Sequence, residues 1–566
     1  MPAFLCLALC AVMQVRSQDK TGIERSLLSV GGSLTLTGDV YGISATPDGA
    51  ERARGPANLW RLLFNPVINI GDLASLPLNI MLSSRETNTT TTSVVAPTFI
   101  QFLQNPMNNI GMLSFTPRVG WAQASIGSHV PRYSELSTGD EQLFGLGLEL
   151  KPGNFRLAVN GGTTQRAVEA DTIRGVRGAY ARRMYAAKVG YGNPEDSYVD
   201  LNVVRAKDDP FSITARPTET APQEGLVVTS DFRIGLSEHA SLAGEIAASA
   251  FTRDMDAAIT GASSHVPQSI FKHRVSSSTD YAGTMMFTYS GKEWGFKAGG
   301  KYVGAGYFSP AFPHMQPDRM DILLAPFAKL FSNRLNMNAS IGYRTNNLSK
   351  TKASTSHQLI GSFNAFSMVT ENISFNARYA NYGIRNRMAV DTLKLDMITN
   401  SFSLSPTFVI TSSAVVNTVS LSWSLDAYNE LNTMTNRETA NNTQSVTAMC
   451  LAAFTELPLN GSVTLSCMTN DIPDNELMLF SGSIGASYRF FDGMVQPSIS
   501  MTYSSNSLAR FTGDTQWLFR LGVLCNVTSA TALSLTGTSH SYSYGSARPG
   551  VSFSETHIEM SISTAF

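Results

Sequence analysis

Along most of the chain, apolar and polar residues alternate with a period of two. Between Gly225 and Leu236, Leu226, Val228, Phe232, Ile234 and Leu236 fall on one face and Thr229, Asp231 and Arg233 on the other. In the stretch from Trp294 to Tyr302, Trp294, Phe296, Ala298 and Tyr302 oppose Lys297, Gly299 and Lys301. Met337, Ala339, Ile341 and Tyr343 oppose Asn338, Ser340 and Arg344; Phe375, Ala377 and Tyr379 oppose Asn376 and Arg378. A strand with one greasy and one wet face lies between two media. No comparable window has the period of a helix. Beyond the N-terminal segment, no apolar run approaches the ~18 residues that a membrane helix needs.

About 26 such strands are predicted, from 28–43 and 58–70 to 530–542 and 555–566. Their connections alternate in length. Short links, such as Lys151-Pro152-Gly153-Asn154, Ser237-Glu238-His239-Ala240 and Phe331-Ser332-Asn333-Arg334, alternate with long polar ones at 85–108, 164–179, 208–223, 253–278 and 305–318. Short turns at one end and long loops at the other are the habit of antiparallel transmembrane barrels. The expected fold is therefore all-β: one large transmembrane β-barrel with short periplasmic turns and long extracellular loops. The stretch 58–130 is its weakest part, because Pro66, Pro77 and Pro117 sit in it. Losing one hairpin there gives 24 strands and preserves the parity.

The two ends add a location. Residues 1–18 read as a signal peptide, with an apolar core from Ala3 to Val15, although no Lys or Arg precedes it. The barrel then occupies 19–566, and the few residues before its first strand leave no room for an N-terminal plug domain. At the other end Ile558, Met560, Ile562, Thr564 and Phe566 share one face against His557, Glu559, Ser561, Ser563 and Ala565. A chain ending on Phe after such a strand resembles bacterial outer-membrane β-barrel proteins, of porin-like kind. That resemblance implies a Gram-negative outer membrane, with its lipids and lipopolysaccharide as surroundings. It also implies that Phe566 is an assembly signal for the barrel-assembly machinery. Residues 179–192 and 203–209 resemble uncharacterised barrels of the Bacteroidota and related phyla, which bears on location alone.

Composition narrows the picture. Charged residues are 15 %, against roughly 25 % in soluble domains. A net charge of -1 gives nucleic acid nothing to bind. A mean hydropathy of -0.03 excludes a bundle of membrane helices. Cys450, Cys467 and Cys525 fall on apolar faces and read as small hydrophobes rather than a disulfide framework. Trp60, Tyr198, Tyr281, Trp294, Tyr307, Tyr382, Trp423, Tyr488, Tyr503 and Trp517 are candidates for interfacial girdles. A barrel of this size measures roughly 50 Å across and leaves about 40 Å inside. Infolded loops, a flattened wall, or a plug or periplasmic partner must occupy that space.

The chemistry legible in the sequence is that of a lining. Arg156, Lys188, Asp231, Arg233, Glu245, Lys297, Lys301, Arg344, Arg378 and Glu559 fall on the predicted lumen face, with Glu149, Asp200 and Asp321. Such charges tune selectivity or pair across strands. Arg174, Arg177, Arg182 and Arg183 gather at one outside rim; they read first as a solvated, partly paired loop, and second as a site for lipopolysaccharide phosphates or another anionic ligand. No catalytic or nucleotide-binding motif occurs, so no enzyme, cofactor or metal is expected. The leading expectation is a gated or plugged outer-membrane pore for transport or export. The alternative is a non-conducting surface scaffold or adhesion barrel presenting its long loops. A rim hydrolase built on Asp254, Asp256, His265 and His273 ranks below both.

Overall fold

The computed structural model describes residues 28–47, 51, 53–84, 111–170, 177–214, 220–260, 271–387, 394, 396–432, 441–473, 475–508, 513–546 and 548–566. The signal-peptide segment, Arg174 and His265 lie outside them. The strands are β1 (Leu28–Thr46), β2 (Asn58–Ile70), β3 (Ala74–Ser83), β4 (Gly111–Phe115), β5 (Arg118–Val119), β6 (Ala122–His129), β7 (Leu143–Leu150), β8 (Phe155–Gln165) and β9 (Ala181–Gly192). There follow β10 (Tyr198–Asp209), β11 (Glu224–Ser237), β12 (Ala240–Thr252), β13 (Ser277–Ser290), β14 (Trp294–Val303), β15 (Arg319–Leu330), β16 (Leu335–Asn346), β17 (Thr355–Thr370) and β18 (Ile373–Arg387). The last are β19 (Asp396–Thr411), β20 (Val415–Glu430), β21 (Asn441–Phe454), β22 (Leu459–Ile472), β23 (Asn475–Tyr488), β24 (Val495–Leu508), β25 (Thr515–Thr528), β26 (Thr531–Ser543) and β27 (Ser552–Ala565).

Successive strands pair antiparallel, and β1 pairs with both β2 and β27, so the sheet closes on itself. The segments β4 and β5 are two halves of one stave, since both pair with β3 and with β6. Thr116 and Pro117 separate them, where proline has no N–H to give the ladder. The barrel thus has 26 staves, the number that alternation and link parity predict. The links at one end stay short, as at 71–73, 151–154, 193–197 and 331–334, and those at the other are mostly long. One long-side link departs from the pattern. Between β22 and β23 the two strands come together at once, with Ile472 facing Asn475.

The register assigns every strand an outer and an inner face. Ile246, Tyr281, Met285, Ile322, Leu324 and Ile341 share the outer face and are exposed. So large an apolar surface is tolerable only against lipid, and a closed barrel satisfies its backbone groups there without edges. The three cysteines are free, and the register puts them on this face. So are Trp294, Trp423, Tyr503 and Trp517, with Tyr503 and Trp517 packed 4.7 Å apart. Three girdle candidates lie elsewhere. Tyr307 is buried in a loop, and Tyr198 and Tyr382 fall on the inner face.

Phe566 ends the seam between β27 and β1. Its N–H donates to Gly32 O and its carbonyl accepts from Gly32 N, and its ring packs 6.2 Å from Phe64. Gly32 has φ +144, and a side chain there would strike Asn65 O. At the long-link end Tyr41 donates to Glu555 and Arg548 to Glu51. Hydrogen bonds from Tyr544 and Arg548 hold the Glu51 carboxyl below its usual range.

The two faces differ in what they tolerate. Ile246→Arg puts a cation against lipid near mid-strand, and should cost about 2–4 kcal/mol of folded stability in vesicles by urea titration. Ser424→Arg, on the inner face, should cost under about 1 kcal/mol. Equal costs would abolish the assignment of faces, and the reverse order would invert it.

Candidate functional site

Loops 130–142 and 304–318 leave the long-link end and fold back onto the inner face of β9 to β14. Apolar side chains hold them there. Leu136, Tyr307 and Met315 pack with Val227, Ala247, Ala282 and Val303. Tyr133 and Ala311 pack with Leu143, Met184, Ala186, Val204 and Ala206. Close backbone approach needs glycine at two points. A Cβ on Gly225 would meet Pro310 at 2.3 Å, and Gly139, at φ +52, lies against the Phe312 ring.

The loops also hold each other. Tyr307 donates to Leu136 O at 2.8 Å and Ser309 to Ser137 O at 2.6 Å. Burial pushes the Tyr307 hydroxyl well above its usual range, so it stays a neutral donor. Tyr133 donates to Ala186 O at 2.9 Å and accepts from Asn160 at 2.8 Å. Burial pushes its hydroxyl up to about 12.

Charged side chains of the wall set where each loop sits. Both carboxylate oxygens of Glu245 accept the Leu136 N–H at 3.2 Å. Lys188 donates to Arg132 O and Tyr133 O, at 3.1 and 3.0 Å. Lys301 pairs with Glu135. Arg182 grips Asp208 with two hydrogen bonds and reaches Pro310 O at 3.0 Å. Toward the short-link end, Arg156 binds Asp200, which also meets Lys188 at 3.4 Å. Asp231 accepts from Asn202 at 2.7 Å and stands beside Glu245 in the register.

The remaining residues named from the sequence lie further off. Arg344 and Asp321 make a two-point pair at 2.8 and 3.2 Å. Arg233 has a buried Nε without a partner among the described residues. Lys297 and Arg378 lie on the inner face, and Glu559 stands opposite Asp39 across the seam, all three away from the loops. The alternation missed Leu136, and it misplaced Tyr307, read as a girdle residue, and Arg182, read at the outside rim: Tyr307 packs in the infolded loops and Arg182 turns inward to Asp208. Their signal was present: the strands that receive the loops are apolar on both faces, as in Val203-Val204 and Leu226-Val227-Val228.

In the Asp254–His273 loop, Asp254 caps the Asp256 N–H and His273 packs edge-on to Phe271. Among the described residues no group of three or more His, Cys, Asp or Glu gathers as a metal site would require.

No family model matches the chain, and no curated protein does. Among solved structures it resembles the P pilus usher (PapC) translocation pore at 12 % identity and a TM-score of 0.36, over 95 % of this chain and 99 % of that one. It resembles OccAB2 of Acinetobacter baumannii at 11 % identity and a TM-score of 0.32, over 66 % of this chain and 98 % of that one. A BenF-like porin from Pseudomonas fluorescens Pf-5 stands at 10 % identity and 0.32, over 66 % and 100 %. At such identities and scores the likeness carries no argument about this chain.

Glu245→Ala leaves the Leu136 N–H without its acceptor, at a cost of about 1–3 kcal/mol. Ser137→Cys, in a background without the native cysteines, reports on the result. The buried thiol should resist a membrane-impermeant maleimide, and adding Glu245→Ala should speed labelling about tenfold. Unchanged labelling would show that Glu245 does not hold the loop.

Proposed function

We propose that this protein is a pore of the bacterial outer membrane, for transport or export, narrowed by loops 130–142 and 304–318. One observation carries the reading: the inner face is divided into two unlike sectors. The β9–β14 sector lies under the loops. Across β19 to β24 the inner face instead presents hydroxyls. Ser405, Ser422, Thr447, Ser466, Ser481 and Ser504 stand abreast on six neighbouring strands. A row of half-exposed hydroxyls suits water, and burying it dry would cost stability. The hydroxyl sector is the passage, and the loop-covered sector is the gate or fixed constriction.

The outer-membrane placement rests on the closed barrel and its apolar exterior. Phe566, bonded at the seam, is the residue offered to the barrel-assembly machinery. Charges outside the grip of the loops, namely Lys297, Arg378 and Glu559, are the selectivity candidates.

Single-channel recording in a planar bilayer tests the reading. The intact barrel should pass a steady current, and the double variant Glu245→Ala with Lys301→Ala should raise it severalfold. Silence from both, with heat-modifiable migration on gels intact, would overturn the pore and favour the scaffold barrel.

A further inference from the structure

The outer face carries one feature that a pore does not need. At the long-link end of β9 and β10, Arg183 and Lys207 stand directly opposite each other in the register. Both belong to the membrane-facing parity and both are exposed. Like charges directly opposed across two strands are destabilising. Among the described residues neither has a carboxylate within ion-pair distance. The nearest acids are engaged: Glu224, across from Lys207, is held by Arg205 at 2.5 Å, and Asp209 caps the Phe211 N–H at 3.0 Å.

Directly below Arg183 the outer face is shallowly concave. A groove of about 700 Å³ runs down the outer face between Leu146, Leu148, Val159, Tyr185 and Thr163, with Arg183 at its head. Leu146, Val159 and Tyr185 are 63, 60 and 59 % exposed. Gly161 keeps the floor open, because a Cβ there would come within 3.1 Å of the Tyr185 ring. From the level of Arg183 to that of Val159 the groove spans four residues of register, about 13 Å along a strand.

Two cations above an apolar slot complement an amphiphile with an anionic head. We propose that Arg183 and Lys207 bind a phosphate of an acylated outer-leaflet lipid of the lipid A class, one of whose chains lies in the groove over Gly161. The assignment rests on the outer-membrane reading above, which puts the long-link end at the outer leaflet. A phosphate between the two side chains turns their repulsion into charge-assisted hydrogen bonds. The groove fixes the chain that bulk lipid would leave disordered.

Native mass spectrometry of the intact barrel in neutral detergent, titrated with bisphosphorylated lipid A, reads the site. One molecule should bind per barrel, and dephosphorylated lipid A should bind at least tenfold more weakly. Arg183→Ala with Lys207→Ala should lose at least tenfold in affinity. Gly161→Leu, which fills the slot and leaves both charges in place, should lose a comparable amount. Heat-modifiable migration checks that each variant is folded. Unchanged affinity in the charge variant overturns the site, as does equal binding of phosphatidylglycerol. Conductance on the same preparation separates the two claims. A conducting barrel that holds no lipid A overturns this site alone, and a silent barrel that holds it overturns the pore alone.

Discussion

A backbone amide in the middle of a bilayer has no water to bind. Each unsatisfied N–H or C=O there costs several kcal/mol. That single constraint organises this molecule. It forces the sheet to close, so β1 must find β27 after the whole chain has been laid down. It allows prolines only where the ladder can spare a donor, and at Pro117 the stave breaks in two. It also fixes the period of the sequence, because a closed sheet between lipid and lumen admits one side-chain alternation and no slip. A shift by one residue would turn Ile246 inward and Glu245 toward hydrocarbon.

Closure creates a second problem that closure cannot solve. A barrel of 26 staves encloses more space than wall side chains can fill, roughly 40 Å across. The chain answers over one sector with its own loops. Burying Leu136, Tyr307 or Met315 yields about 1.5–3 kcal/mol each. A net hydrogen bond yields about 0.5–1.5 kcal/mol. Apolar contact therefore holds the loops on the wall, and the polar contacts decide where they rest. Glu245, Lys188 and Lys301 act as positioning groups: Glu245 takes the Leu136 N–H, Lys188 the Arg132 and Tyr133 carbonyls, and Lys301 the Glu135 carboxylate. Buried pairs such as Arg182 with Asp208 add little net stability, but they fix the place where Pro310 docks.

Much of this was legible in the sequence and the remainder had a physical reason for hiding. Period-two alternation locates strands because each residue meets lipid or lumen with no third option. Link parity adds to it because the two ends of a barrel face different compartments. Nothing comparable marks an infolded loop. Residues 130–142 are as polar as any surface loop, and only Leu136 and Tyr133 betray the destination. The clearer sign lay in the receiving strands, where Val204, Val227 and Ala247 make the lumen side apolar. Adjacent arginines show the limit of reading charge by cluster. Arg182 turns inward to Asp208 and is buried, whereas Arg183 turns outward and is exposed. Period two separates them completely, although they are neighbours in a basic run.

The same alternation bears on what a solute inside the barrel would meet. Charge on a lumen wall acts at full strength only if no counter-charge sits on it. Under the loops, Lys188, Glu245 and Lys301 already spend their hydrogen-bonding capacity on loop atoms. Arg344 spends its own on Asp321. Across β21 to β24 the inner face carries no Asp, Glu, Lys or Arg among the described residues. The field along the open side is therefore weak and set by a few scattered side chains. Hydroxyls can exchange hydrogen bonds with water or solute at little cost. A wall of this kind does not trap ions. In the pore proposed above, discrimination by charge therefore falls to Lys297, Arg378 and Glu559 on the rest of the inner face, and discrimination by size to how far loops 130–142 and 304–318 stand in from the wall.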